Sequence, residues 1–315
     1  MSLAPVVIFT FNRLEHTKRT IDALKKNKLA EETEVFIFSD GPRNFEESEK
    51  VKNVRKYIRT INGFKKVNIY EAENNNGLAK SVIEGVSKII NKYEKVIVLE
   101  DDLITSKYFL KYMNEGLEVY KKRNDIWSLS GYSPNIEIPN GYREDIYITR
   151  RGSSWGWATW KDRWNKVDWD MKEYSSFKKN KDDIKKFNES GKDLGFMLGD
   201  QMKGRIDSWA VRWVYNQFKN NMLTIYPTKS LVKNIGNDLS GTHSRITTIF
   251  DVELVEKEIK FNLNIIENKE ILIAFKKLYD KNFSGYFALI IKKIGLYRCA
   301  RRIRNKFLLV KSKVV

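Results

Sequence analysis

Cysteine, histidine and long apolar runs are what this chain of 315 residues has least of. Its single cysteine, Cys299, excludes an internal disulfide framework and suits a reducing compartment. Its two histidines, His16 and His243, are too few for a histidine-rich zinc site. No apolar run approaches the ~18–20 residues needed to cross a bilayer. No basic stretch followed by a long apolar segment opens the chain, so a signal peptide is not expected. Two nucleotide signatures are missing as well. No G-x-G-x-x-G follows the first predicted strand, which removes the dinucleotide fingerprint, and no G-x-x-x-x-G-K-S/T occurs, which argues against a P-loop. Acidic residues are absent from positions 286–315, although the rest of the chain is rich in them.

What is present begins with an alternation. Short apolar, β-branched runs over residues 5–11, 34–38, 66–70 and 95–99 read as strands. Between and after them the spacing predicts helices over 14–27, 45–60, 78–91 and 106–120, with Val51, Val54, Ile58 and Ile61 on one face of the second. Such alternation means βαβ units, so the fold class is α/β, with a mostly parallel sheet covered on both faces. Ligands of such sheets bind outside the carboxyl ends of the strands. Three polar groups fall there: Thr10-Phe11-Asn12-Arg13, Asp40 in a Ser39-Asp40-Gly41-Pro42 turn, and Glu100-Asp101-Asp102 directly after the fourth strand. Adjacent carboxylates repel one another until a divalent cation neutralises them, and Mg²⁺ or Mn²⁺ is typically held by one or two carboxylates plus phosphate oxygens. Taken alone the triplet is equally a solvated acidic turn. Its convergence with the other two groups favours a nucleoside diphosphate bridged by metal. Asp40 then either binds a base or ribose edge or merely caps its turn.

Residues Pro5 to Arg13, Asp40-Gly41, Asn76-Gly77-Leu78-Ala79 and Glu100-Asp101-Asp102 together resemble a glycosyltransferase of the GT-A fold, over roughly residues 5–245. That superfamily has a Rossmann-like, mostly parallel sheet, and its acidic "DXD" motif holds a metal and a nucleotide sugar. The E-D-D form here is similar to that of the N-acetylglucosaminyltransferase I family and of bacterial polysaccharide transferases. The resemblance implies Asp102 as metal ligand, with Asp101 and Glu100 on ribose or donor sugar. It implies Thr10, Phe11, Asn12, Arg13, Asp40, Gly77 and Lys80 as further donor-site residues, Mn²⁺ or Mg²⁺ as cofactor, and a UDP-sugar as donor.

The middle of the chain differs in character: all eight tryptophans lie between Trp127 and Trp213. Indole packs well on the C–H face of a sugar, but core packing is the better reading for most of them. Ser153-Ser154-Trp155-Gly156-Trp157 is the exception. Its small residues let backbone approach a ligand, and it resembles the Gly-Trp segment beside the donor sugar in the family just named, so Trp155, Gly156 and Trp157 join the candidates. A carboxylate must also take a proton from the acceptor hydroxyl. Asp207 precedes a helical run over 209–220, where it either caps that helix or acts as base. Asp207-Ser208-Trp209 matches the family's D-x-W segment, which implies the base; Asp200 is the alternative. Residues 234–243 are loop-like by composition, and a comparable loop in the resembling enzymes closes over the donor, which implies His243 near the metal or diphosphate.

The net charge of +18 comes largely from the carboxyl terminus. Leu296, Ala300, Ile303, Phe307 and Val310 recur at gaps of four and three, giving one apolar stripe on a strongly basic helix. Such a helix reads as an element bound to an anionic membrane surface, or as a docked helix with a solvated basic face. No nucleic-acid-binding motif accompanies it, so nucleic acid ranks last. The expected organisation is a nucleotide-sugar lobe over 1–125, an acceptor-binding and catalytic lobe over 126–250, and a helical basic segment over 251–315. Three functions compete: a metal-dependent, inverting hexosyl- or N-acetylhexosaminyl-transferase in surface polysaccharide synthesis with a glycan or lipid-linked acceptor, cytoplasmic and peripheral on the membrane; a nucleotidyltransferase making nucleotide sugars; and a non-catalytic basic membrane-surface protein. A nucleotidyltransferase would be expected to carry a glycine-rich basic loop where this chain reads Thr10-Phe11-Asn12-Arg13-Leu14.

Overall fold

A computed structural model describes residues 2–236 and 249–280. Val6–Thr10 (β1), Glu34–Ser39 (β2), Lys66–Glu71 (β3) and Lys95–Glu100 (β4) form the strands that the alternation predicts. Leu14–Lys25 (α1), Phe45–Ile58 (α2) and Leu78–Tyr93 (α3) separate them. β2 and β4 flank β1 and β3 flanks β2, every pair parallel. Along β1 the side chains alternate, Val6 and Ile8 joining one hydrophobic layer and Val7 and Phe9 the other, as the two-residue period of a strand requires.

The helix expected over 106–120 starts late. Leu103–Thr105 is instead a short strand (β5), and the helix runs Phe109–Val119 (α4). The reason is a distant partner: β5 pairs antiparallel with a strand far along the chain, and the Ser106 amide donates to the Leu231 carbonyl at 2.9 Å. Helical periodicity carries no trace of such a contact.

The later elements complete one large sheet. Ile126–Ser130 (β6), Ile146–Thr149 (β7), Trp157–Trp160 (β8) and Leu223–Pro227 (β9) join it, while Val232–Asn234 (β10) is the partner of β5. Short helices Lys161–Trp164 (α5), Tyr174–Phe177 (α6) and Lys181–Phe187 (α7) lead to Asp193–Met202 (α8) and Trp209–Lys219 (α9), and residues 269–280 are helical. The eight strands run β3-β2-β1-β4-β8-β6-β9-β7. β8 is antiparallel to both of its neighbours, so one reversed strand sits between the β3-β2-β1-β4 half and the rest. The sheet is α/β and mostly parallel, as expected.

Most tryptophans are core. Trp157 stacks among Trp164, Trp209 and Trp213 with ring centroids 5.2–5.8 Å apart, and Trp127 lies on Trp213 at 4.5 Å. This plug fills the space between β8, α5 and α9. Among the described residues no helix is long and apolar enough to cross a membrane. His243 and the basic amphipathic helix expected over 286–315 lie outside the described residues.

One ion pair ties the later elements together. The Arg151 guanidinium, just past β7, makes two hydrogen bonds to the Asp193 carboxylate of α8 at 2.8 and 2.7 Å and lies 3.7 Å from the Tyr279 ring centre. Their side chains are only 11% and 12% exposed. Removing one partner of a buried pair leaves an uncompensated charge, so Arg151→Met is expected to destabilise the protein by about 3–5 kcal/mol. Guanidinium unfolding measures it; a loss below ~1 kcal/mol would mean the pair behaves like a solvated surface bridge.

Candidate functional site

The carboxyl ends of β1, β2 and β4 lie side by side, which brings the three polar groups of the sequence together. At the end of β4 the turn Glu100-Asp101-Asp102 is held from three directions. Thr20 of α1 is fully buried; its hydroxyl donates to the Asp101 carbonyl at 2.9 Å and accepts from the Leu103 amide at 3.1 Å. The Ile235 amide donates to the Asp102 carbonyl at 2.9 Å. Gly236 packs so closely that a Cβ there would lie 2.1 Å from Asp102 Oδ2, so any other residue would force the Asp102 side chain to shift.

Arg13 is the third support. Its Nη2 donates to Asp101 Oδ1 and, at 2.9 Å, to Asp102 Oδ2. Burial works against the guanidinium's charge, but the carboxylates of Asp101 and Asp102 outweigh it and raise its pKa above the ordinary range. The acids respond to the same crowding. Loss of hydration, reinforced by the Asp102 and Asp101 charges, pushes the Glu100 carboxyl up to about 8. Loss of hydration also pushes Asp101 up to about 6, with Arg13 pulling the other way.

Two carboxylate oxygens at this turn, Asp101 Oδ2 and Asp102 Oδ1, are buried and have no hydrogen-bond partner among the described residues; the Thr10 hydroxyl at the end of β1 is in the same condition. Unpartnered buried acceptors are costly, and a cation or a hydrogen-bond donor such as water would satisfy them. Among the described residues no cluster of three or more metal-ligating side chains converges. A site supplying one or two carboxylates, with phosphate oxygens making up the rest, needs none. The residues present therefore fit a divalent cation shared with a diphosphate.

Asp40 is placed differently from the base-binding role. Oδ1 accepts from the Gly41 and Asn76 amides at 2.9 and 2.8 Å, and Oδ2 from the Gly77 amide and Asn75 Nδ2, each at 3.0 Å. Both oxygens are saturated by protein, so Asp40 is a strap that binds the β2 turn to the loop before α3. This is the turn-capping role, one of the two that the sequence left open for Asp40. Gly77 presents its amide to the strap with φ +77°, a conformation that favours glycine. Arg55 of α2, for which the sequence carries no signal, stitches the same ends by donating to the Ala72 and Asp40 carbonyls at 2.6 and 3.2 Å. Lys80 is mostly exposed and pairs with Glu84 one turn along α3. Phe11 lies under the Arg43 guanidinium, and Asn12 donates to Glu47 at 3.2 Å.

The Trp155-Gly156-Trp157 segment splits. Trp157 pairs with Val98 of β4, and its indole is 1% exposed within the tryptophan plug. It has no face open to a sugar, which corrects its assignment as a donor contact. Trp155 is half-buried and meets Tyr132 edge-on at 4.6 Å and Phe250 at 6.0 Å. Asp207 is not the cap of α9: Ser208 is, its hydroxyl accepting from the Val211 amide at 3.3 Å. Asp207 is 67% exposed and pairs with Arg212 at 3.1 Å, whereas Asp200 is 14% exposed and pairs with Arg205 at 3.1 Å.

A sequence model of glycosyl transferase family 2 matches residues 6–198, which take in β1 to β8 and every carboxylate of the acidic turn. The chain belongs to glycosyl transferase family 2. It is thus a glycosyltransferase by family, and membership together with the mostly parallel sheet bears out the expected GT-A class. No protein of curated function matches the chain. Solved structures similar to this family 2 chain include a mannosyltransferase, PcManGT from Pyrobaculum calidifontis in complex with GDP-Man and Mn²⁺, at 12% identity and TM-score 0.37, covering 51% of this chain and 45% of that one. Residues 1–349 of S. aureus TarS match at 13% identity and TM-score 0.40, covering 73% and 59%. The chain spans about half the length of these structures.

The strap makes a prediction for this family 2 enzyme. Asp40→Asn turns one saturated acceptor into a donor facing other donors, so a stability loss of about 1–3 kcal/mol is expected in urea unfolding. Unchanged stability with weakened donor binding alone would return Asp40 to the base-binding role.

Proposed function

We propose that this chain is a metal-dependent, inverting glycosyltransferase that moves a hexosyl or N-acetylhexosaminyl group from a nucleoside-diphosphate sugar, a UDP-sugar, to a glycan or lipid-linked acceptor in surface polysaccharide synthesis. The observation that carries the reading is the pair of buried, unpartnered carboxylate oxygens of Asp101 and Asp102 at the carboxyl end of β4. Asp102 would hold Mn²⁺ or Mg²⁺ there with help from Asp101; when bound, the cation supplies charge stabilisation for the departing diphosphate. The E-D-D triplet then serves as the DXD motif. Family membership sets aside the nucleotidyltransferase alternative.

Asp207 is the proposed general base, taking the acceptor hydroxyl's proton as that oxygen attacks the anomeric carbon from the face opposite the diphosphate. Its support is positional. Trp209 rests 5.2 Å from Trp157, and Trp157 is in register with Val98, two residues before Glu100, so the amino end of α9 is anchored beside the end of β4. Arg212 holds the carboxylate by Oδ1. The basic segment 286–315 is proposed to hold the enzyme on the cytoplasmic face of an anionic membrane, each Lys or Arg near the surface contributing about 1 kcal/mol.

Three outcomes are expected. Asp102→Ala abolishes Mn²⁺-dependent donor binding in calorimetry; equal affinity in wild type and variant removes the metal assignment. Asp207→Asn binds donor normally but loses about 10²–10⁴-fold in kcat, and near-normal transfer would pass the role to Asp200. Deleting residues 286–315 leaves donor hydrolysis intact and ends co-sedimentation with anionic vesicles at low salt, whereas equal pelleting of both proteins rejects the membrane role.

A further inference from the structure

We propose that Arg13 is an internal counter-cation of the acidic turn, bound to Asp101 and Asp102 while no divalent cation is present and released from them when one binds. The inference rests on the metal-dependent reading above and adds what that reading leaves open: how a crowded set of carboxylates is tolerated in a protein without metal.

The geometry is specific. A single nitrogen, Nη2, bridges one oxygen from each aspartate, leaving Asp101 Oδ2 and Asp102 Oδ1 buried and without a partner. One guanidinium therefore satisfies half of the two carboxylates, and Glu100 adds a third acid beside them. The balance is incomplete, which is what a stand-in gives and a permanent structural pair does not. The side chain is 16% exposed, enclosed enough to hold the charge and close enough to water to leave. Its backbone stays fixed meanwhile, because the Thr17 amide and hydroxyl both donate to the Arg13 carbonyl, at 3.0 and 2.8 Å. Movement is confined to the side chain.

Two cations cannot share these oxygens without repelling each other, so Arg13 competes with the metal. A nucleoside diphosphate changes the balance by bringing negative charge for the displaced guanidinium. Metal and nucleotide should therefore bind cooperatively in the wild type, with Arg13 as part of the coupling. Coupling of this kind typically amounts to about 5–150-fold in affinity.

The test is Mn²⁺ binding to the full chain, followed by the electron paramagnetic resonance of free Mn²⁺, with and without UDP. Arg13→Gln is expected to tighten nucleotide-free Mn²⁺ binding by about 5–150-fold and to shrink the factor by which UDP enhances it. Arg13→Lys, which keeps the charge, should change both less. Equal nucleotide-free affinity in wild type and Arg13→Gln overturns the proposal while leaving the metal site standing. Absence of Mn²⁺ binding in every protein, with UDP present, overturns the metal-dependent reading and this proposal together. A measurement on the wild type does not depend on how the variants fold. With ¹⁵N-arginine labelling and diamagnetic Mg²⁺, the protected Arg13 guanidinium signal should disappear as Mg²⁺ saturates; its persistence at saturation overturns the exchange.

Discussion

The constraint on which the rest of the site depends is excess negative charge at the end of one strand. Glu100 ends β4 and Asp101 and Asp102 follow it without a spacer, so the charges of Asp101 and Asp102 raise the cost of ionising Glu100. The surroundings are arranged to hold that turn rather than to relieve it. Thr20 clamps its backbone from α1, the Ile235 amide clamps it from beyond β10, and Gly236 yields the space that Asp102 occupies. Among the described residues, only Arg13 supplies opposite charge by direct contact with the two aspartates. Fixed backbone and incomplete neutralisation together would preorganise the turn for the proposed cation, since the acids cannot relax away from one another when the balancing charge is missing.

The same region shows how a sheet edge becomes a platform. Asp40, Arg55 and the amides of Asn76 and Gly77 lock the ends of β2 and β3 to the start of α3. Thr10 is locked to Asp40 by the Asp40 amide at 3.0 Å. None of these contacts needs a ligand. They rigidify the strand ends so that the acidic turn has a fixed position relative to β1, and the polar groups most heavily bonded by protein frame the site rather than line it.

Much of this was legible in the sequence because it is local. Strand and helix lengths, the alternation of Val6 to Phe9 between two layers, and the meeting of Thr10 to Arg13 with the triplet follow from βαβ order alone. The unseen parts depend on partners far along the chain or on how many bonds an atom already has. Residues 103–105 read as the approach to a helix because nothing near them announces Val232–Asn234. Asp40 has the right residue type and place for a ligand contact, yet its oxygens accept one hydrogen bond from the neighbouring Gly41 amide and three from a loop more than thirty residues away. Trp157 lies in the right segment, but its indole joins the plug, while Trp155, two residues earlier and outside β8, packs on the opposite layer because Gly156 between them, with φ +63°, breaks the strand alternation. Residue type and position on the sheet were readable. Saturation and facing were not.

The tryptophan plug gives the two halves of the sheet a common mechanical reference. β8 runs antiparallel between β4 and β6, so it shares a ladder with the strand that carries the acidic turn, and its Trp157 shares an aromatic cluster with α9. Close-packed indoles deform little, because interiors of this density leave no free volume for sliding. The amino end of α9, with Asp207 beside it, is therefore referred to β4 through one layer of rings instead of through flexible connecting chain. The proposed base and leaving-group site, acting on one sugar, would need that fixed separation, since productive geometry tolerates only small errors. The indoles of the plug thus fix where the amino end of α9 stands relative to the strand that carries the carboxylates.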